Sequence, residues 1–160
     1  MKTTLKQLTK KLDQLADCIL QEKSRTEVEA LETAKSLLIK RVFGVGASGG
    51  GFSQDGSELG EYSPAYLLKR KNSKYKYTNI QKNLYFDGNL RNSIQVGINN
   101  SKKVLGFTDL DLAEIARFQE ESPIQVGEKI FALNAEELGI TIDVMNNGVK
   151  RALKECFNTA

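Results

Sequence analysis

The stretch Leu84-Tyr-Phe-Asp-Gly-Asn-Leu-Arg-Asn-Ser-Ile-Gln-Val96 joins a tight-turn signal to the best strand signal in the chain. Asp87-Gly88 offers a backbone that can take positive φ, and Leu90 is placed to point inward after the turn. Ile94, Val96 and Ile98 then alternate with Ser93, Gln95 and Gly97, which makes one face of a strand apolar and the other polar. Asn99-Asn-Ser-Lys102 is a turn-rich connection to Val104 through Phe107, so the two runs read as a β-hairpin. A lone hairpin is marginal in water. Leu84 to Phe86, and one of Ile124 to Val126 or Ile130 to Leu133, are therefore expected to complete a small antiparallel sheet.

Helical patterns lie on both sides of this centre. Leu5, Leu8, Leu12, Leu15 and Ile19 recur at spacings of three and four, which predicts an amphipathic helix from about Thr4 to Glu22. Ser24 and Thr26 each precede a glutamate by three residues, Glu27 and Glu29, and these capping-box signals predict a second helix running to Val42. Residues 22–25 would then form either the corner of a helical hairpin or a kink in a rod. Ser63-Pro64 fits the start of a short helix ending in Lys69-Arg-Lys71. Thr108 or Asp109 caps a helix to about Glu120 that buries Leu112, Ile115, Ala116 and Phe118 unequally, and Ser122-Pro123 stops it. Asn134 with Glu137 opens a last helix whose apolar positions are Leu138, Ile142, Met145, Val149, Leu153 and Cys156 or Phe157. Gly139 and Asn147-Gly148 weaken it by about 1 kcal/mol per glycine relative to alanine, which leaves a break near Asn147 open.

Between the helical start and the hairpin, residues 43–60 are rich in Gly and Ser, and Gly44-Val-Gly46-Ala-Ser-Gly49 matches G-x-G-x-x-G. The dinucleotide fingerprint needs a strand before it and a helix after it, so that a pyrophosphate meets backbone N–H groups. Here a helix precedes and Gly50-Gly51-Phe52-Ser53 follows. No Gly-Lys-Ser/Thr accompanies it, so the segment reads as a mobile surface loop able to order on meeting a neighbour.

The 160-residue length fits a single domain, 1–160, of class α+β. It divides into a helical part at 1–42, a Gly-rich loop at 43–62 and a sheet with helices at 63–160. Cys18 and Cys156 are expected as reduced, partly buried thiols, with a disulfide between the terminal helices as the alternative. No apolar run is long enough to span a membrane, and the N-terminus lacks a secretory h-region. The absence of histidine excludes Ser-His and Cys-His nucleophile pairs and His-bearing metal sites. Asp109/Asp111 and Glu120/Glu121 are explained by a helix cap and an exposed helix end without a metal, so no cofactor is expected. An enzyme built from lone carboxylates is the catalytic reading that survives.

The formal net charge of +3 conceals a segregation. Tyr62 to Phe86 holds six Lys/Arg and no acid, whereas Asp109 to Asp143 holds nine acids against Arg117 and Lys129. Lys69, Arg70, Lys71, Lys74 and Lys76 alternate with Tyr75 and Tyr77, a pattern of charge plus stacking that suits nucleic acid and equally suits a solvated connection.

Taken in order, these segments resemble the small neck and tail-completion proteins of tailed bacteriophages, also called virion morphogenesis or minor tail proteins. Gly88, Leu90, Ser93 and Ile94 are similar to that family's "(T)G-x-L-x-x-S-I" segment. The stretch from Leu110 to Gln119, with Phe118, is similar to its "Y-A-x-x-H-x-F-G" helix, and that from Lys129 to Asn134, with Phe131, to its "R-x-F-L-x-x" segment. Asp55-Gly56 and Tyr62-Ser63-Pro64-Ala-Tyr66 stand where the family carries a Gly-containing loop and an "L-S-P-x-Y"-like segment. Asp87 replaces a common Thr, Glu128 a common Pro, and the "H-x-F-G" positions hold neither His nor Gly, which leaves the subfamily open.

The resemblance implies a non-catalytic virion protein made in the host cytoplasm, with no cofactor and no membrane. It implies a ring of six or twelve copies between head-side connector or portal-associated proteins and tail proteins, with genomic DNA passing through and open to non-specific contact at its phosphates without base readout. Lys69, Arg70, Lys71, Lys74 and Lys76, and on the acidic side Asp109, Asp111, Glu120 and Glu121, are the candidates for subunit-interface or DNA-facing positions. The alternative is a nucleic-acid-binding module using Lys69 to Lys82.

Overall fold

A computed structural model describes residues 5–44, 50–74, 76, 79–85, 87–121 and 129–159. The architecture is α+β, with five helices and a two-stranded antiparallel sheet among these residues. Helix α1, Leu5–Phe43, is a single rod of 39 residues, where the capping boxes predicted two helices. No Gly or Pro interrupts it, and residues 22–25 stay helical with an Arg25–Glu22 ion pair at 2.7 Å on the surface. Thr26 does not act as a cap because it is buried against the last helix.

That last helix, α5, Ala135–Thr159, lies antiparallel along α1. The contact is built from small residues: Thr26, Ala30 and Ala34 on α1 meet Gly148, Ala152 and Cys156 on α5. A Cβ at Gly148 would lie 2.8 Å from Thr26 Oγ1 and closer still to Cγ2, so glycine is what lets the two backbones approach. The break left open near Asn147 does not occur, because burial against α1 outweighs the local helix penalty. One flank carries the ion pairs Arg151–Glu29 at 2.6 Å and Arg41–Glu137 at 2.8 Å. The register also brings Cys18 and Cys156 to a Cα separation of 5.8 Å, where they form a disulfide. The expectation of two reduced thiols is thereby corrected.

The hydrophobic core gathers where α1 ends. Leu38, Val42 and Phe43 join Leu59, Leu90, Ile94, Ala116 and Ile130 in one cluster. Phe131 sits between Phe43 and Phe107, edge-on to the latter at 5.2 Å between ring centres. Residues 50–60, expected as a mobile loop, are packed instead: Leu59 N–H donates to Gly51 O, Gly51 N–H to Lys82 O and Ser53 N–H to Ser57 O, and Gly51, Ser53 and Leu59 are buried. A Cβ on Gly51 would run into Val42 O, so this glycine serves close approach rather than mobility. Residues 45–49, which complete the G-x-G-x-x-G match, lie outside the described residues.

The hairpin forms as read, with β1 at Ile94–Asn99 and β2 at Lys102–Phe107. Ile94 pairs with Phe107 and Asn99 with Lys102, and the turn residues Asn100 and Ser101 have φ of 48° and 64°. Two left-handed residues in a two-residue loop are the signature of a type I′ turn, whose twist matches that of the strands. The apolar face fades toward the tip, where Ile98 is 78 % exposed. Neither Leu84-Tyr85 nor residues 130–133 add a strand. Phe86 and residues 122–128, with Ile124 to Val126, the Ser122-Pro123 stop and Glu128, lie outside the described residues. Support for the hairpin comes from α1 instead: Lys35 Nζ donates to Gln95 Oε1 at 2.9 Å, and Lys103 Nζ reaches Ser24 and Glu27.

Candidate functional site

Gly88 adopts φ +86° and caps α3, Asn89–Asn92, a single turn that the sequence reading had not separated from the strand. Asp87 closes the turn by accepting from Asn89 N–H at 2.9 Å. Leu90 and Ile94 enter the core, while buried Ser93 donates to Leu90 O at 2.7 Å. Ser93 O in turn accepts from Thr108 N–H at 2.8 Å, tying the turn to the far end of the hairpin. Every described residue of the "G-x-L-x-x-S-I" segment that was singled out, Gly88, Leu90, Ser93 and Ile94, thus has a structural task.

Helix α4, Leu110–Glu120, follows β2 and starts at Asp109, whose carboxylate accepts from Leu112 N–H at 3.0 Å. Asp111 is exposed in its first turn, and Glu121 pairs with Arg117 at 3.1 Å. Glu120 departs from its expected surface role: its Oε1 accepts from the backbone N–H groups of Ile130 and Phe131 at 3.0 and 2.8 Å. It anchors the segment leading into α5. On this helix only Ala116 is buried, and Phe118 is 57 % exposed beside Arg117.

The basic turn belongs to α2, Pro64–Asn72, capped by Ser63. Lys69, Lys71, Lys74 and Lys76 are exposed. Arg70, expected with them on a contact surface, is fully buried. Its guanidinium donates to Tyr85 O at 2.6 Å, to Asn79 Oδ1 at 3.0 Å and to Tyr62 Oη at 3.3 Å, and stacks 4.4 Å above the Tyr62 ring. Sequence alternation could not separate it from its neighbours, because burial is set by residues 79–85 folding back over α2. Tyr75 and Tyr77, the proposed stacking partners, lie outside the described residues.

Between α2, residues 82–90 and α4 runs a cleft of about 500 Å³. Tyr62, Tyr66, Leu84, Leu90, Leu112 and Ile115 make its walls, and Glu61, Lys82 and Asp87 stand among the polar lining groups. Burial pushes the Tyr62 phenol above its usual range, opposed in part by hydrogen bonding at Asn83 and by the Arg70 charge. The phenol stays protonated at physiological pH, and its hydroxyl is already engaged inside the protein, donating to Asn83 Oδ1 and accepting from Arg70 Nη1 and Asn83 N–H, so it is no base for the cleft. The cleft suits an apolar side chain from another molecule flanked by charged contacts.

Among the described residues no helix is long and apolar enough to cross a membrane. Compared with protein-family models, with curated proteins and with solved structures, the chain has no significant match.

Proposed function

We propose that the chain is a structural subunit of a tailed-bacteriophage neck or tail-completion assembly, acting by contact with copies of itself and with head-side and tail proteins. The observation that carries this reading is that the residues of the resemblance, Gly88, Leu90, Ser93 and Ile94, make up one folded unit of turn, helical turn and hairpin. Residues that match for a structural reason belong to a framework, and the surfaces around that framework do the work. Those surfaces are segregated by charge: exposed lysines 69, 71, 74 and 76 at and after the end of α2, and Asp111, Glu114 and Glu121 on α4. Opposite charges carried by different elements of one chain favour contact between identical subunits.

The test is the copy number of the protein in purified particles of the phage that encodes it, by quantitative mass spectrometry against the major capsid protein. A low fixed count of one ring is expected. The charge-reversed variant Lys69→Glu/Lys71→Glu, which leaves buried Arg70 in place, should be incorporated at a lower level with its fold intact. Absence of the wild-type protein from particles overturns the reading. In that case salt-dependent DNA binding by the exposed lysines becomes the leading function.

A further inference from the structure

Helix α5 has a second apolar face that nothing among the described residues covers. Leu138, Ile142, Met145, Val149, Leu153 and Phe157 are each between 37 and 63 % exposed, although they repeat at spacings of four and three along the whole helix. At 100° per residue they occupy roughly a third of the helix circumference, next to the strip of Gly148, Ala152 and Cys156 that packs on α1. They leave on the order of 500 Å² of apolar surface, at the upper end of what a monomer keeps bare and about half of a minimal two-sided interface.

The charges beside this face say what fits it. Asp143, Lys150 and Lys154 are exposed, lie along its outer edge and make no ion pair among the described residues. The acid stands toward the start of the helix and the two lysines toward its end. In an antiparallel pairing about a two-fold axis near Asn147, the same edges of both helices meet. Asp143 of each copy then falls between Lys150 and Lys154 of the other, while Met145 and Val149 close over the axis. A parallel pairing turns each outer edge toward the partner's α1 instead, where Glu29 and Arg151, and Arg25 and Glu155, are already paired.

We infer that the outer face of α5 is a self-association surface, joining two copies of this chain through antiparallel α5 helices with Asp143 opposite Lys150 and Lys154. The inference does not depend on the virion reading, since it needs no other protein.

Sedimentation equilibrium of the full-length, oxidised protein tests it, with circular dichroism of each variant as the check on folding. The wild type should dimerise in the micromolar range, and Asp143→Lys and Lys150→Glu/Lys154→Glu should each raise the dissociation constant about tenfold or more, since each repeats its repulsion across the axis. Mixing the two variants should restore a heterodimer at wild-type affinity or better. A wild type that stays monomeric at about 0.5 mM overturns the inference. So does a dimer that both charge variants leave unchanged, or a mixture of variants with no preference for the heterodimer.

Discussion

Replacing Arg41 by methionine should cost this protein several kcal/mol of stability. The side chain is nine-tenths buried at the end of α1 and bonds to three separate parts of the fold. Its Nε pairs with Glu137 Oε1 at 2.8 Å, while its terminal nitrogens donate to Phe52 O at 2.9 Å, Ile130 O at 3.2 Å and Ala132 O at 2.6 Å. Glu137 is itself committed: its other oxygen accepts from Asn134 N–H, and its own N–H donates to Asn134 Oδ1, completing the capping box of α5. Arg41→Met keeps the apolar stem but leaves a buried carboxylate without its counter-ion and three carbonyls without their donor. Loss of one partner of a buried pair costs about 3–5 kcal/mol. At about 2–4 °C per kcal/mol for a chain of this size, the melting temperature should fall by about 6–20 °C. The assay is urea and thermal unfolding followed by circular dichroism, with Arg41→Met/Glu137→Gln as the closing variant. The double variant should recover about 1–3 kcal/mol, because a neutral amide does not need the guanidinium. An Arg41→Met protein within about 1 kcal/mol of wild type would refute the argument, since that is the worth of an exposed ion pair.

Two further outcomes follow from the helix pair. Gly148→Ala should destabilise by about 1–3 kcal/mol despite the better helix propensity of alanine, because the new methyl meets Thr26, and Thr26→Ala should restore most of the loss; a stabilised single variant in urea titration would contradict the packing. Cys18→Ser/Cys156→Ser removes a cross-link spanning 138 residues, for which chain entropy alone predicts a loss of up to about 5 kcal/mol. The variant should unfold at the same urea concentration with and without dithiothreitol, whereas the wild type should shift, and a wild type indifferent to reductant would contradict the bond.

What could be read from the sequence was local. The Asp87-Gly88 turn, the alternation from Ile94, the Asp109 cap and the Asn134/Glu137 capping box each depend on neighbours within a few residues, and each forms. The misreadings came from positions decided by distant partners. Thr26 looked like a helix cap and Gly148 like a helix breaker until each is placed against the other across α1 and α5. Arg70 looked like its exposed neighbours Lys69 and Lys71, because the carbonyl of Tyr85 and the amide of Asn79 that draw it inward are separate in sequence. Gly51 and Leu59 looked like loop, although the first admits the backbone of Val42 and the second fills the core. The bare stripe on α5 was visible as a helical period, but a period does not distinguish a face that is covered from one that is not.

The bond between Cys18 and Cys156 also fixes where a load can travel. It joins the first half of α1 to the last turns of α5, so a pull on α1 before residue 18 and on α5 beyond residue 156 passes straight from one helix to the other through sulfur. The packed glycine loop and the aromatic core at the opposite end of α1 sit outside that line and carry none of the tension. Any molecule gripping the protein at this end can therefore haul on it with a covalent handle, while traction reaches the core only when it is applied at the other end.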